Sequence, residues 1–129
     1  MIAVDTSALI AIVRNEATAD ACQAVLEANS EVCISGGTLA EALIVATARG
    51  YLQAVRDLVD GLRFIVMDVT EETAERAAAA YARWGKGNHP AGLNFGDCFA
   101  YALAEQMNCP LLFVGDDFSK TDIVPALPA

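Results

Sequence analysis

Leu111-Leu112-Phe113-Val114-Gly115-Asp116-Asp117 runs four apolar residues straight into a glycine and two acids. Such a run offers no polar face, so as a strand it must be covered on both sides. That is the pattern of a parallel strand lying under helices. Three more stretches match it. Ile2-Ala3-Val4 ends in Asp5, Thr6 and Ser7, Val32-Cys33-Ile34 ends in Ser35-Gly36-Gly37, and Phe64-Ile65-Val66 precedes a helical stretch. The intervening segments carry helical signals. Helices are predicted from Ala8 to about Val13 and from Ala17 to Asn29, the latter with Ala21, Val25 and Ala28 on one face. Thr38-Leu39-Ala40-Glu41 opens another, running to Arg49 and closed by Gly50. Leu52 to Leu62, the alanine-rich Glu71 to Trp84, and Asn94 to Gln106 complete the set, with a loop from Gly85 to Gly92 around Pro90. Four short apolar strands alternating with helices predict an α/β domain over residues 1–129, its parallel sheet covered by helices on both faces.

Composition narrows the function. The chain has 129 residues, enough to fold without a disulfide or structural metal. Its hydrophobic fraction of 55% owes much to alanine, as in Ala77 to Ala80. No apolar run reaches the roughly 18 residues a membrane helix needs. Met1-Ile2-Ala3-Val4-Asp5 has no basic leader, so no membrane partner and a cytoplasmic location are expected. Cys22, Cys33, Cys98 and Cys109 form no C-x-x-C pair, which argues against a zinc site and for reduced thiols. The net charge of −9 opposes nucleic-acid binding. It is compatible with that function if the acids converge on a cation, or if a basic partner covers them.

The positions of the acids therefore matter. Asp5 and the Asp116-Asp117 pair follow strands, where open α/β sheets bind ligands. Glu41 and Asp97 stand in the first turns of helices. Each has an ordinary reading: Asp5 as a helix cap, Glu41 in a capping box with Thr38, Asp97 at a helix N-terminus, Asp116-Asp117 as a turn. Together they belong to segments whose ends can meet at one edge of the sheet. Carboxylates so gathered repel and demand a cation. Oxygen-only ligands suit Mg²⁺ or Mn²⁺, which activate water and stabilise phosphodiester cleavage.

Four blocks carry a resemblance. Met1-Ile2-Ala3-Val4-Asp5-Thr6-Ser7-Ala8-Leu9 resembles the opening of the VapC toxin family of PIN-domain ribonucleases. Ile34-Ser35-Gly36-Gly37-Thr38-Leu39-Ala40-Glu41-Ala42 is similar to its second motif and His89 to Ala102, with Leu93-Asn94-Phe95-Gly96-Asp97, to its third. Leu111 to Phe118 with Thr121-Asp122-Ile123 resembles its closing motif. The resemblance implies a PIN-like three-layer α/β/α sandwich around a mainly parallel sheet of four to five strands. It implies a Mg²⁺- or Mn²⁺-dependent endoribonuclease, the toxin of a type II toxin–antitoxin system, held inactive by a VapB-type antitoxin. Structured RNA such as tRNA or rRNA is its implied substrate, and a homodimer its implied assembly. Asp5, Glu41 and Asp97 match the family's acids, and both Asp116 and Asp117 align with the fourth. Asp5 and Asp97 are the implied direct metal ligands, and Ser7 matches a supporting hydroxyl. The implied reaction is in-line attack of water on phosphorus, leaving a 5′-phosphate and a 3′-hydroxyl.

His89 is the sole histidine, so a two-histidine acid–base route is excluded; it is expected to be structural. Arg14, Arg83, Lys86 and Lys120 are candidate RNA contacts. Tyr81, Trp84 and Phe95 could stack bases, but their helical spacing favours the core. The acidic balance suits an antitoxin docking through Arg or Lys, with an arginine entering the carboxylate pocket in competition with the metal. A haloacid dehalogenase-type phosphatase would need a second aspartate where Ser7 stands. A receiver domain would need an aspartate after a central strand and a lysine after a later one. The alternative from another class is a non-catalytic PIN-fold binding module, which has no use for so many converging charges.

Overall fold

The computed structural model describes residues 1–127. In chain order the elements are β1 (Ile2–Val4), α1 (Thr6–Val13), α2 (Ala19–Ala28), β2 (Val32–Ser35), α3 (Gly36–Arg49), α4 (Leu52–Gly61), β3 (Ile65–Met67), α5 (Glu71–Trp84), α6 (Phe95–Met107) and β4 (Leu111–Leu112). The four strands form one parallel sheet in the order β3-β2-β1-β4, with Ala3 opposite Cys33 on one side and Leu111 on the other. The chain steps outward from β1 to β3, then returns through α5 and α6 to lay β4 on the far side of β1. The order reverses between β1 and β4, and at such a point the loops diverge and leave a crevice beyond the carboxyl ends of the strands.

Strand alternation divides the interior. Ile2, Val4, Val32, Ile34 and Leu112 pack with residues of α1 to α4, whereas Ala3, Cys33 and Leu111 pack with α5 and α6. This is the expected α/β/α sandwich. The sheet has four strands, and a single parallel bridge from Leu111 to Pro125 stands where a fifth would lie. No helix among the described residues is long and apolar enough to cross a membrane. Cys22, Cys33 and Cys98 are buried and Cys109 half-buried, all as free thiols.

Several boundaries differ from expectation for local reasons. α1 begins at Thr6, two residues early, because the Asp5 side chain accepts from Ser7 N and caps it. α3 begins at Gly36 under a Ser35 cap, so the expected capping box between Thr38 and Glu41 does not form. It ends at Gly50 in the left-handed region (φ 82°), as the sequence indicates. α2 is shorter than expected, and β3 begins one residue later, at Ile65. β4 stops at Leu112 because Val114 leaves the ladder and donates its N–H to Ser7 Oγ (3.0 Å). Ile65 and Val66, on the edge strand, are exposed instead of covered on both sides.

Candidate carboxylate site

Asp5 ends β1 at the point of strand reversal and is 3% exposed. Its Oδ2 accepts from Ser7 N (3.1 Å) and Ser7 Oγ (2.7 Å). Ser7 Oγ in turn accepts from Val114 N, which ties the first acid to the segment after β4. Asp5 Oδ1 is buried and has no hydrogen-bond partner. Burial pushes the Asp5 carboxyl above its ordinary pKa; the Ser7 hydrogen bonds oppose this and the Glu41 charge adds to it.

Glu41 lies within α3 and is half-buried. Its Oε1 accepts from Thr6 Oγ1 (2.7 Å), joining α3 to the first turn of α1. On the other side the carboxylate rests against Gly96 in the first turn of α6, and a Cβ there would overlap it. Only glycine admits this approach.

Asp97 is in the first turn of α6 and 6% exposed. Its Oδ2 accepts from Asn94 N (3.0 Å), while Asn94 Oδ1 accepts from Asp97 N (2.9 Å), a reciprocal capping box. The helix-capping reading is therefore correct, and Asp97 Oδ1 has no donor among the described residues. Burial drives the Asp97 pKa up to about 7; the Asn94 N–H opposes this, and the charges of Asp5, Asp117 and Glu41 add to the rise.

The two acids after β4 differ. Both are exposed. Asp117 is near enough to raise the Asp97 pKa. Asp116 contributes its backbone carbonyl to a turn, accepting from Ser119 N (3.2 Å) and Ser119 Oγ (2.7 Å). The expected turn is thus present at Asp116, while Asp117 belongs electrostatically with the buried acids.

Among the described residues no Lys or Arg forms an ion pair with Asp5, Glu41, Asp97 or Asp117. Nor are three acids already closed around a point that could hold a cation. The acids share one corner, since the charges of Asp5, Asp117 and Glu41 all act on Asp97. The donors are all oxygen, Asp5 Oδ1 is orphaned in the interior, and Gly96 leaves room for the Glu41 carboxylate. This set fits a small hard divalent cation.

The PIN domain family matches residues 2–124. This chain belongs to that family. Among its relatives, ribonuclease VapC30 of Mycobacterium tuberculosis is 42% identical, over 97% of this chain and 98% of that one. Ribonuclease VapC36 of the same organism is 46% identical over 93% of this chain and 89% of its own. The family is therefore that of the VapC ribonucleases. In fold, the chain is similar to crystalline M. tuberculosis VapC20, described as a sarcin–ricin loop cleaving toxin (TM-score 0.81, 20% identity, 99% of this chain and 100% of that chain). It is also similar to a chain of a toxin–antitoxin complex from Klebsiella pneumoniae (TM-score 0.72, 21% identity, 95% and 93% covered).

Within this PIN domain, sequence reasoning missed Thr6, Asn94 and Gly96, which hold or admit the acids. His89 is structural as expected: its Nδ1 accepts from Ala91 N (2.9 Å) and its ring meets Trp84 edge-on. Of the candidate RNA contacts, Arg14 pairs with Glu16 and Arg83 with Asp122, while Lys86 and Lys120 form no ion pair among the described residues. The expectation of core packing is overturned for Phe95, which is 79% exposed, and for Tyr81, also exposed. Phe95 begins α6 and meets only the Phe99 edge among the aromatic rings. Tyr81 and Phe95 instead flank an apolar groove of about 620 Å³, with Lys86 at its margin.

Proposed function

We propose that this chain is a divalent-cation-dependent endoribonuclease, the toxin of a toxin–antitoxin pair, acting in the cytoplasm on structured RNA such as tRNA or rRNA. The observation that carries the reading is Asp5 Oδ1: a buried, unpartnered carboxylate oxygen, at the strand reversal, in a corner without a neutralising Lys or Arg. An orphaned buried acceptor is costly unless a ligand completes it.

Asp5 and Asp97 would hold the ion directly, with Glu41 and Asp117 completing its surroundings, in part through water. Mg²⁺ or Mn²⁺ supplies the positive charge that activates water and offsets the charge developing on phosphorus. The chain's own residues fix the geometry. Ser7 orients Asp5 and locks it to the segment after β4, Asn94 sets Asp97, and Thr6 sets Glu41. Hydrolysis would leave a 5′-phosphate and a 3′-hydroxyl. Phe95, Tyr81 and Lys86 line the groove beside α6 and offer stacking faces and one cation to the RNA.

The net charge of −9 suits a basic antitoxin of the VapB type. Ile44 and Val66 are exposed apolar surface that a second copy would cover in a homodimer. The competing binding module would show no thermal shift with Mn²⁺. The deciding experiment incubates purified chain, free of antitoxin, with total RNA and Mn²⁺, beside Asp5→Ala. Discrete cleavage abolished by EDTA and by the substitution is expected. Equal cleavage by both proteins would refute the assignment.

A further inference from the structure

Asp122, in the stretch Thr121-Asp122-Ile123, has no part in the carboxylate corner, yet it is firmly held. Its Oδ1 accepts from the Tyr101 hydroxyl (2.6 Å), a short charge-assisted hydrogen bond. The same hydroxyl accepts from Trp84 Nε1 (3.0 Å), and Tyr101 is buried. Arg83 lies over the Trp84 ring and pairs with Asp122 Oδ2 (3.5 Å), but that pair is exposed and adds little. Tyr101 stands four residues after Asp97 on α6, so both side chains project from one face of the helix. Asp122 stands five residues after Asp117 on the segment that follows β4. That segment is held at its start by Val114 N on Ser7 Oγ and in its middle by the buried Phe118. Tyr101 holds its end. Asp117 lies between these anchors, and its charge acts on Asp97. Like charges push the segment and α6 apart, and among the described residues no Lys or Arg pairs with Asp117 to offset this. The Tyr101–Asp122 bond joins the same two elements across which Asp97 and Asp117 repel.

We infer that Tyr101 is a positioning residue: its hydrogen bond to Asp122 clamps the segment after β4 onto α6 and holds Asp117 beside Asp97 against their repulsion. The inference rests on the cation-dependent reading above and adds to it two residues that make no hydrogen bond to the acids. With the clamp made, a cation on Asp5 and Asp97 also feels the Asp117 charge. With it cut, the end of the segment is free to move outward, and Asp117 moves with it. Trp84 backs the clamp by fixing the Tyr101 hydroxyl, so that its proton points at Asp122.

The test is calorimetric titration of Mn²⁺ into wild type, Tyr101→Phe, Asp122→Ala and Asp122→Asn, each also combined with Asp117→Asn and purified free of RNA and antitoxin. Tyr101→Phe and Asp122→Ala should each weaken Mn²⁺ about tenfold, the range for loss of a residue behind a ligand. Cleavage of total RNA at limiting Mn²⁺ should fall with it. Asp122→Asn keeps an acceptor for Tyr101 and should stay close to wild type. Combined with Asp117→Asn, neither Tyr101→Phe nor Asp122→Ala should cost anything further, because the charge they position is gone. The same fold loss with and without Asp117, or unchanged Mn²⁺ affinity with only a lower melting temperature, would overturn the inference and leave the ribonuclease reading standing. Asp122→Asn as damaging as Asp122→Ala would overturn it too. Should Tyr101→Phe fail to fold, Asp122→Ala carries the test alone, since that side chain is half-exposed. Wild type that neither binds Mn²⁺ nor cleaves RNA would overturn the ribonuclease reading and this inference with it.

Discussion

Asp5 and Asp97 on one side, and Asp116 and Asp117 on the other, are the same side chain in opposite surroundings. The first two are buried helix caps whose hydrogen bonds take up one oxygen each. The second two are exposed on the segment after β4. Burial raises the pKa of Asp5 and Asp97, with Asp97 reaching about 7, so the fold bears a cost to keep them charged. Of the exposed pair, Asp117 adds its charge to the rise at Asp97. Capping and function are thus not rival explanations for Asp97: the cap fixes the carboxylate, and the free oxygen is what remains for a ligand.

The contrast can be broken most forcefully at Asp97. Asp97→Asn keeps the shape and an acceptor for Asn94 N, but removes the charge. RNA cleavage should fall by several kcal/mol of transition-state stabilisation, on the order of a thousandfold. The metal-free protein should nonetheless melt higher near pH 8. A variant that cleaves like wild type would place Asp97 with the merely structural caps.

The pH dependence of stability tests the same cost without any metal. The folded protein holds a proton on Asp97 up to about pH 7, whereas the unfolded chain releases it near the ordinary value of 3.8. The folded state therefore binds more protons throughout that window, and stability must fall as pH rises from about 4 to 7, then level off. The slope attributable to one group is at most about 1.4 kcal/mol per pH unit. Denaturant titrations in EDTA should show this fall in wild type and a flatter profile in Asp97→Asn. Parallel profiles would mean that Asp97 is not the group held neutral.

The exposed pair should separate by a smaller margin. Asp117→Asn is expected to weaken Mn²⁺-dependent cleavage by about tenfold, as for loss of an outer-shell partner. Asp116→Asn should leave it unchanged, because its backbone carbonyl makes the turn contacts. Measuring kcat and the Mn²⁺ half-saturation point for both would reverse the assignment if Asp116→Asn proved the more damaging.

The sequence-based reading succeeded where one physical requirement dominated. Ile2-Ala3-Val4 and Leu111-Leu112 have no polar face, so central parallel strands were legible, and with them the corner beyond Asp5. Gly36 and Gly37 lie ahead of the helix expected from Thr38 because glycine is a poor helix former, yet α3 begins at Gly36. Tertiary packing overrides propensity there, since a Cβ on Gly37 would lie 2.6 Å from the Phe99 ring, within its contact limit. That shift of helix start also moved Glu41 out of its supposed capping box. Thr6 was overlooked because its donor role depends on a residue 35 positions away. Phe95 was misassigned to the core because spacing along a helix gives a face, but not what lies opposite that face.

Proton release on metal binding tests the shared cation site most directly. Calorimetric titration of Mn²⁺ into wild type at pH 6, in buffers of differing ionisation enthalpy, should show roughly one proton expelled as Asp97 becomes a ligand. Release should fade towards pH 8 and be lost in Asp97→Asn. Binding of Mn²⁺ with no proton release in wild type, or with undiminished release in Asp97→Asn, would contradict a cation site built on the buried acids.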